Sequence, residues 1–349
     1  MSLRYRAIPW TAVLLALAAA YPLIPALDDQ LMRLTGLPIG GRMPKLFIYA
    51  ILALGLNVVV GYTGLLHLGI GAFFGIGAYI TGILTVPAYP FHYSLGTYEF
   101  LASLALATLG AATLSVVLSA PVLRLRGDYL ALVTLGFGEV VRFALRNLPE
   151  ITAGTKGLNP VPPPGFPFPA EWNWGGDYRF FYFLTLGILA IVLWLLWNLE
   201  RSRLGRAWVA IREDELAATC MGVNSAKLKL LAFALGAGLA GLAGCLYAHK
   251  QGGTADPDQY GFNTSILALL CLILGGIGNR KGVLLGVLLV VGFDEILSPI
   301  MDSYIQRSLG QAGPEYLRFS GWRLAVFGLA LILVMRFRPE GILPARRGV

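Results

Sequence analysis

Four polar side chains stand inside otherwise apolar stretches: Asn57, His67, Glu139 and Arg142. Polar groups are costly in a hydrocarbon setting, so each either satisfies a packing partner or lines a path for something polar. Glu139 and Arg142 lie three residues apart, on one face of a helix, where they suit an ion pair as well as a pathway role. Gly71 and Gly75 form a Gly-xxx-Gly pair that lets backbones approach closely, and such backbone can also border an aqueous path. These six residues are the candidate pathway or substrate-lining positions; plain interhelical packing is the simpler reading for the glycines. Other chemistry is hard to find. Cys220, Cys245 and Cys271 and the histidines His67, His92 and His249 lack metal-ligand spacing, so no metal is expected. The run Gly275-Gly-Ile-Gly-Asn-Arg-Lys-Gly282 lacks the Gly-Lys-Ser/Thr ending of a phosphate loop and reads as a glycine-rich helix end. The chain is therefore expected to be no enzyme and to carry no cofactor.

A second group of residues is set apart by charge. Residues 200–229 form a charged, helix-forming island between long apolar blocks, with Arg201, Arg203, Arg206, Arg212, Lys227 and Lys229 alongside Glu213, Asp214 and Glu215. Ala217 and Ala218 would permit close docking, and Gly222 would supply a left-handed helix cap. An island of this kind in a membrane protein is expected to dock a partner.

The elements that must position these residues are membrane helices. Of 349 residues 56% are apolar and 13% charged, with a mean hydropathy of +0.69, which is outside the range of ordinary globular domains. A span takes roughly 20 apolar residues, and about ten stretches approach that: 8–27, 46–61, 65–84, 100–123, 129–148, 180–199, 230–248, 264–277, 283–299 and 321–335. Their length and Leu/Ala content exceed what barrel strands need. The fold class is all-α: a polytopic membrane protein with a single transmembrane domain over residues 1–349. The 8–27 run follows Arg4 and Arg6 but has no clear cleavage site before Asp28, so it reads as a retained span.

Basic residues favour the cytoplasmic side. Placing Arg4, Arg6, Arg124, Arg126, the island, Arg280, Lys281, Arg336, Arg338, Arg346 and Arg347 there puts both termini inside. The net charge of +8 is then a consequence of topology; no basic cluster is interleaved with stacking aromatics, so nucleic acid is not expected as a partner. On the outer side, residues 149–179 hold Pro160, Pro162 to Pro164, Pro167, Pro169, Trp172 and Trp174, a semi-rigid loop that would lie at the bilayer surface or touch an external partner.

The run Ile51-Leu-Ala-Leu-Gly-Leu-Asn57-Val-Val-Val-Gly61-Tyr-Thr-Gly64-Leu-Leu resembles the opening signature of permease subunits of branched-chain amino-acid ABC importers, of the LivM type. Further blocks are similar in the same order: Leu125-Arg-Gly-Asp-Tyr129 leading to Thr134-Leu-Gly-Phe-Gly-Glu139, Thr155-Lys-Gly-Leu158, the 201–222 island, and Arg336-Phe-Arg-Pro-Glu-Gly341. The resemblance covers roughly 46–343. It departs at His67, which stands where the family often has Ser, with Ile70 in the place of the family histidine. It also departs at Glu215, one position ahead of the usual place in the EAA loop.

The resemblance implies a permease subunit in the bacterial cytoplasmic (inner) membrane. Its partners would be a second homologous permease, two cytoplasmic P-loop ATPases, an extracytoplasmic substrate-binding protein and the lipid bilayer. The coupling loop would comprise Arg206, Trp208, Arg212, Glu213, Asp214, Glu215, Ala217, Ala218 and Gly222. Leucine, isoleucine and valine would move inward by alternating access. Related permeases carry urea, short amides or other amino acids. An ion-coupled carrier would need buried acids in two repeats, for which only Glu139, Asp294 and Glu295 offer themselves, and a channel would have no use for an ATPase-docking loop.

Overall fold

A computed structural model describes residues 18–23, 30, 32, 37–87, 98–122, 128–164, 178–254, 256–309, 319–338 and 340–344. Most of the expected 8–27 span, the bases Arg4, Arg6, Arg124, Arg126, Arg346 and Arg347, His92, and Pro167 to Trp174 of the outer loop lie outside the described residues. The described residues contain helices and no strand. We number the main ones α1 (Ile39–Asn57), α2 (Ile70–Thr85), α3 (Glu99–Ser119), α4 (Asp128–Asn147), α5 (Tyr178–Arg201) and α6 (Arg203–Glu213). They continue as α7 (Glu215–Cys220), α8 (Ser225–Gln251), α9 (Phe262–Gly275), α10 (Arg280–Gly292), α11 (Ser298–Leu309) and α12 (Arg323–Phe337). Two π turns extend the pattern: Val58–Tyr62 ends α1, and Phe293–Leu297 joins α10 to α11.

Five stretches among the described residues are long and apolar enough to cross a membrane: Ile39–Tyr62, Glu99–Ser119, Tyr178–Arg201, Ser225–Gln251 and Arg280–Tyr304. Shorter apolar helices run over Ile70–Thr85 and Ala325–Phe337. Helix α4 has the length of a span but carries Glu139, Arg142 and Arg146, so its sequence is too polar to join that set. The long α8 is the hub, packed most extensively on α3, α2 and α1. Small residues make this possible: a Cβ built on Gly55 would meet the Gly236 carbonyl at 2.8 Å, and one on Gly236 would meet that of Gly55 at 2.8 Å. Here α1 and α8 touch backbone to backbone, as glycine allows within a membrane.

Two helices begin or end within the bundle, where their free backbone groups need partners. The expected 65–84 span becomes a helix only at Ile70. Ahead of it Leu68 N donates to Thr134 Oγ1 at 3.1 Å, and at its start Gly71 N donates to Ser265 Oγ at 2.9 Å. At the end of α9, the carbonyls of Leu274 and Gly275 accept the backbone N–H of Ile342 and of Leu343, each at 3.0 Å. The segment after α12 thus folds back to close α9, and the glycine-rich 275–282 run is the tight α9–α10 turn beneath it.

Candidate functional site

The island of 200–229 folds into α6, a one-residue elbow at Asp214, α7 and a glycine turn. Ser202 Oγ caps α6 by accepting from Gly205 N at 3.3 Å. Asp214 is extended and its Oδ1 caps α7, accepting from Leu216 N at 2.8 Å and Ala217 N at 3.0 Å, the usual task of an Asp N-cap. Gly222 sits at φ 85°, with Gly222 N donating to Thr219 O at 3.0 Å and Val223 N to Ala218 O at 3.1 Å. That pair of bonds is a Schellman ending, which stops α7 and turns the chain into Asn224, the N-cap of α8.

This unit is mounted rigidly on the bundle. Trp208 is fully buried and its Nε1 donates to the Leu228 carbonyl at 2.8 Å. Its ring stacks on Tyr62, with centroids 6.4 Å apart and planes 13° from parallel. Arg212 Nη1 donates to Gly61 O at 2.6 Å, capping the carbonyl end of α1 with a cation. Glu215 Oε1 pairs with the buried Lys229 Nζ at 2.6 Å, so the acid that stands one place early is a tie to α8. Ala218 packs inward at 6% exposure.

Among the expected coupling residues, Arg206, Arg212, Glu213, Asp214, Ala217 and Gly222 lie on the surface, together with Val209, Leu216 and Met221, the last two 67% and 85% exposed. Sequence reasoning passed over these three apolar residues; the signal was their presence within an otherwise charged island.

The six candidate pathway residues fall in four places. Asn57 is buried at the α6–α7 end of α1, where its Oδ1 accepts from Gly278 N at 2.9 Å and its Nδ2 has no partner among the described residues. His67 is buried in the segment between α1 and α2, with Phe233 and Phe73 ring centroids at 5.1 and 5.9 Å and its Nδ1 without a partner among the described residues. It borders a small cavity with Ser119, Thr134, Phe137 and Gly138. Gly71 and Gly75 face the 260–265 region: the Tyr260 carbonyl would be 2.9 Å from a Cβ on Gly71, and the Tyr260 ring 2.8 Å from one on Gly75. Glu139 and Arg142 do pair, Nε to Oε2 at 2.7 Å, at the end of the bundle opposite α6. The pair extends further than the sequence suggested. Arg142 also binds Asp258, Arg146 Nη1 reaches Asp258 Oδ2 at 3.1 Å, and Phe262 N donates to Glu139 Oε1 at 3.3 Å. Together these bonds pin α4 to the 256–262 turn.

The family described as branched-chain amino acid transport system / permease component matches residues 43–335. The high-affinity branched-chain amino acid transport system permease protein LivM of Escherichia coli (strain K12) is 38% identical over 319 residues, covering 86% of this chain and 68% of the relative. The corresponding permease protein BraD of Pseudomonas aeruginosa is 30% identical over 308 residues, covering 84% of this chain and 91% of the relative. LivH of Escherichia coli (strain K12) is 26% identical with the same coverage. No solved structure matches the chain. With spanning helices, a rigidly mounted polar hairpin and this similarity along most of its length, the chain belongs to the family of permease components of branched-chain amino acid transport systems.

Proposed function

We propose that the chain is a permease subunit of an ATP-binding-cassette importer for leucine, isoleucine and valine, the substrate class in the relatives' names. It lies in the bacterial cytoplasmic membrane with its α6–α7 end and both termini inside, as a single transmembrane domain. It works with a second homologous permease, two P-loop ATPases, one of them docked on residues 200–229, and an external binding protein that meets the opposite end, where residues 149–164 lie. ATP hydrolysis belongs to the partner subunits.

The observation that carries this reading is the surface of α6 and α7. Val209, Leu216 and Met221 stand exposed among Arg206, Arg212, Glu213 and Asp214 on a hairpin that Trp208, Arg212 and Glu215 bind to the bundle. Exposed apolar residues with a polar rim mark a contact with another protein. A rigid mount turns movement of that partner into movement of the helices. Nucleotide can drive alternating access only if ATP-bound partners bind the outward- and inward-open states with different affinity, and this hairpin is where that difference would be applied.

The test uses residues whose change leaves the hairpin intact. Gly222→Arg and Ala218→Arg would strain a left-handed turn and a buried contact, whereas Leu216→Arg and Met221→Arg alter only exposed positions. The tagged chain is withdrawn from its native membrane in gentle detergent and bound proteins are identified by mass spectrometry. The wild type should bring down a second permease and P-loop ATPases. The Leu216→Arg, Met221→Arg double variant should reach the membrane at the wild-type level yet lose the ATPases and leucine uptake. ATPase retention with full uptake in the double variant would remove the hairpin as the docking site.

A further inference from the structure

The last turn of α1 holds a junction that docking alone does not use. Tyr62 is buried, and its phenol donates to Glu200 Oε1 at 2.6 Å. The same oxygen receives Arg280 Nε at 2.6 Å, while Arg280 Nη1 donates to the Leu193 carbonyl at 3.2 Å. Each charge opposes its own helix dipole: Glu200 lies in the last turn of α5, and Arg280 is the first residue of α10. Either alone would destabilise its helix end, and pairing removes both penalties. One carboxylate oxygen thereby ties α1, α5 and α10 together.

Helix α6 enters the same junction from the other side. Trp208 stacks on the Tyr62 ring, and Arg212 holds the carbonyl of Gly61, the residue before it. Asn57 adds a second tie from α1 to the α9–α10 turn through Gly278 N. Contacts from α5 and α6 thus converge on Gly61 and Tyr62, with α10 joined through the shared Glu200 oxygen, and those two residues lie in a π turn, a rare geometry found frequently at functional sites.

We propose that Tyr62, with Glu200 and Arg280, is a positioning residue of the transport cycle: it locks the ends of α1, α5 and α10 to α6, so that displacement of α6 moves three spanning helices as one. The proposal rests on α6–α7 being the ATPase-docking unit. Adjacency does not itself establish coupling, so the test must separate transmission from assembly.

Tyr62→Phe keeps the ring on Trp208 and deletes the phenol's bond to Glu200; Glu200→Gln keeps the shape and deletes the charge. Three quantities are read in the native host: chain in the membrane, ATPase co-purified with it, and uptake of radiolabelled leucine per chain. Tyr62→Phe should retain the wild-type amount of ATPase and lower uptake about tenfold, the size expected for deleting a hydrogen bond to a charged acceptor. The double variant should fall short of the combined effect of the two single variants, because both changes act on one shared hydrogen bond. Unchanged uptake in both single variants would overturn the proposal. So would uptake and ATPase falling together, which would make the junction part of the docking structure. If the wild type itself retained no ATPase, the importer reading would fail, and the role of Tyr62 with it.

Discussion

Gly64 occupies the left-handed region at φ 72°, and a Cβ there would lie 3.1 Å from Arg212 Cγ. Two constraints therefore meet at one residue: a backbone that disfavours any L side chain by about 1–2 kcal/mol, and the packing that aims Arg212 at Gly61 O. Gly222 carries only the first, since its φ is 85° and nothing lies within 4 Å of its Cβ position. Alanine at the two sites separates the effects. Both variants should melt at lower temperature in detergent, and Gly64→Ala should lower uptake further by tilting Arg212. Equal uptake in the two variants would show that Arg212 accommodates the methyl group. Gly222 could be read as a cap because its neighbours in the chain spell a helix end. Arg212 could be read only as a surface cation, because the carbonyl it holds is 151 positions away.

At the scale of elements, the start of α2 shows what apolar patterning can and cannot reveal. Hydropathy runs unbroken through Leu65, so the pattern extends the span there; the backbone becomes helical only at Ile70, where Ser265 supplies the first acceptor. Ser265→Ala would leave the buried Gly71 N–H unpaired, at a cost of about 1–3 kcal/mol. The variant's apparent melting temperature should fall accordingly, while an alanine at exposed Thr219 should leave it unchanged. An unaltered melting temperature for Ser265→Ala would mean that Gly71 N finds another acceptor. The helical class, five of the expected spanning segments and the α6–α7 hairpin were legible in the sequence, because they depend on local composition, capping residues and charge. The terminations were not. Ser265 and Thr134 at α2, and Ile342 and Leu343 at α9, act from positions distant in sequence. The same holds for the polar candidates: a spacing of three exposed the Glu139 and Arg142 pair, whereas Asp258, 116 positions on, is brought to it only by the fold.

For the molecule as a whole, orientation decides whether the parts can work together. The hairpin can receive ATPases only if it faces the cytoplasm, and its cluster of Arg201, Arg203, Arg206, Arg212 and Lys227 favours that side. The cysteines provide a direct measure without engineering: Cys220 is exposed on α7, while Cys245 and Cys271 are buried in α8 and α9. A membrane-impermeant maleimide should therefore leave the chain unlabelled in right-side-out spheroplasts and modify a single thiol in inside-out vesicles, with all three reacting after denaturation. Since Cys220 shares its exposed surface with Leu216 and Met221, bound ATPases should slow that single reaction, and stripping them should restore it. Labelling from the outer side would invert the topology and place the hairpin where no ATPase can reach it. Protection that persists after the ATPases are removed would assign the cover to another partner. The ordered outcome would join orientation, docking surface and partner in one measurement, which the helical architecture alone does not do.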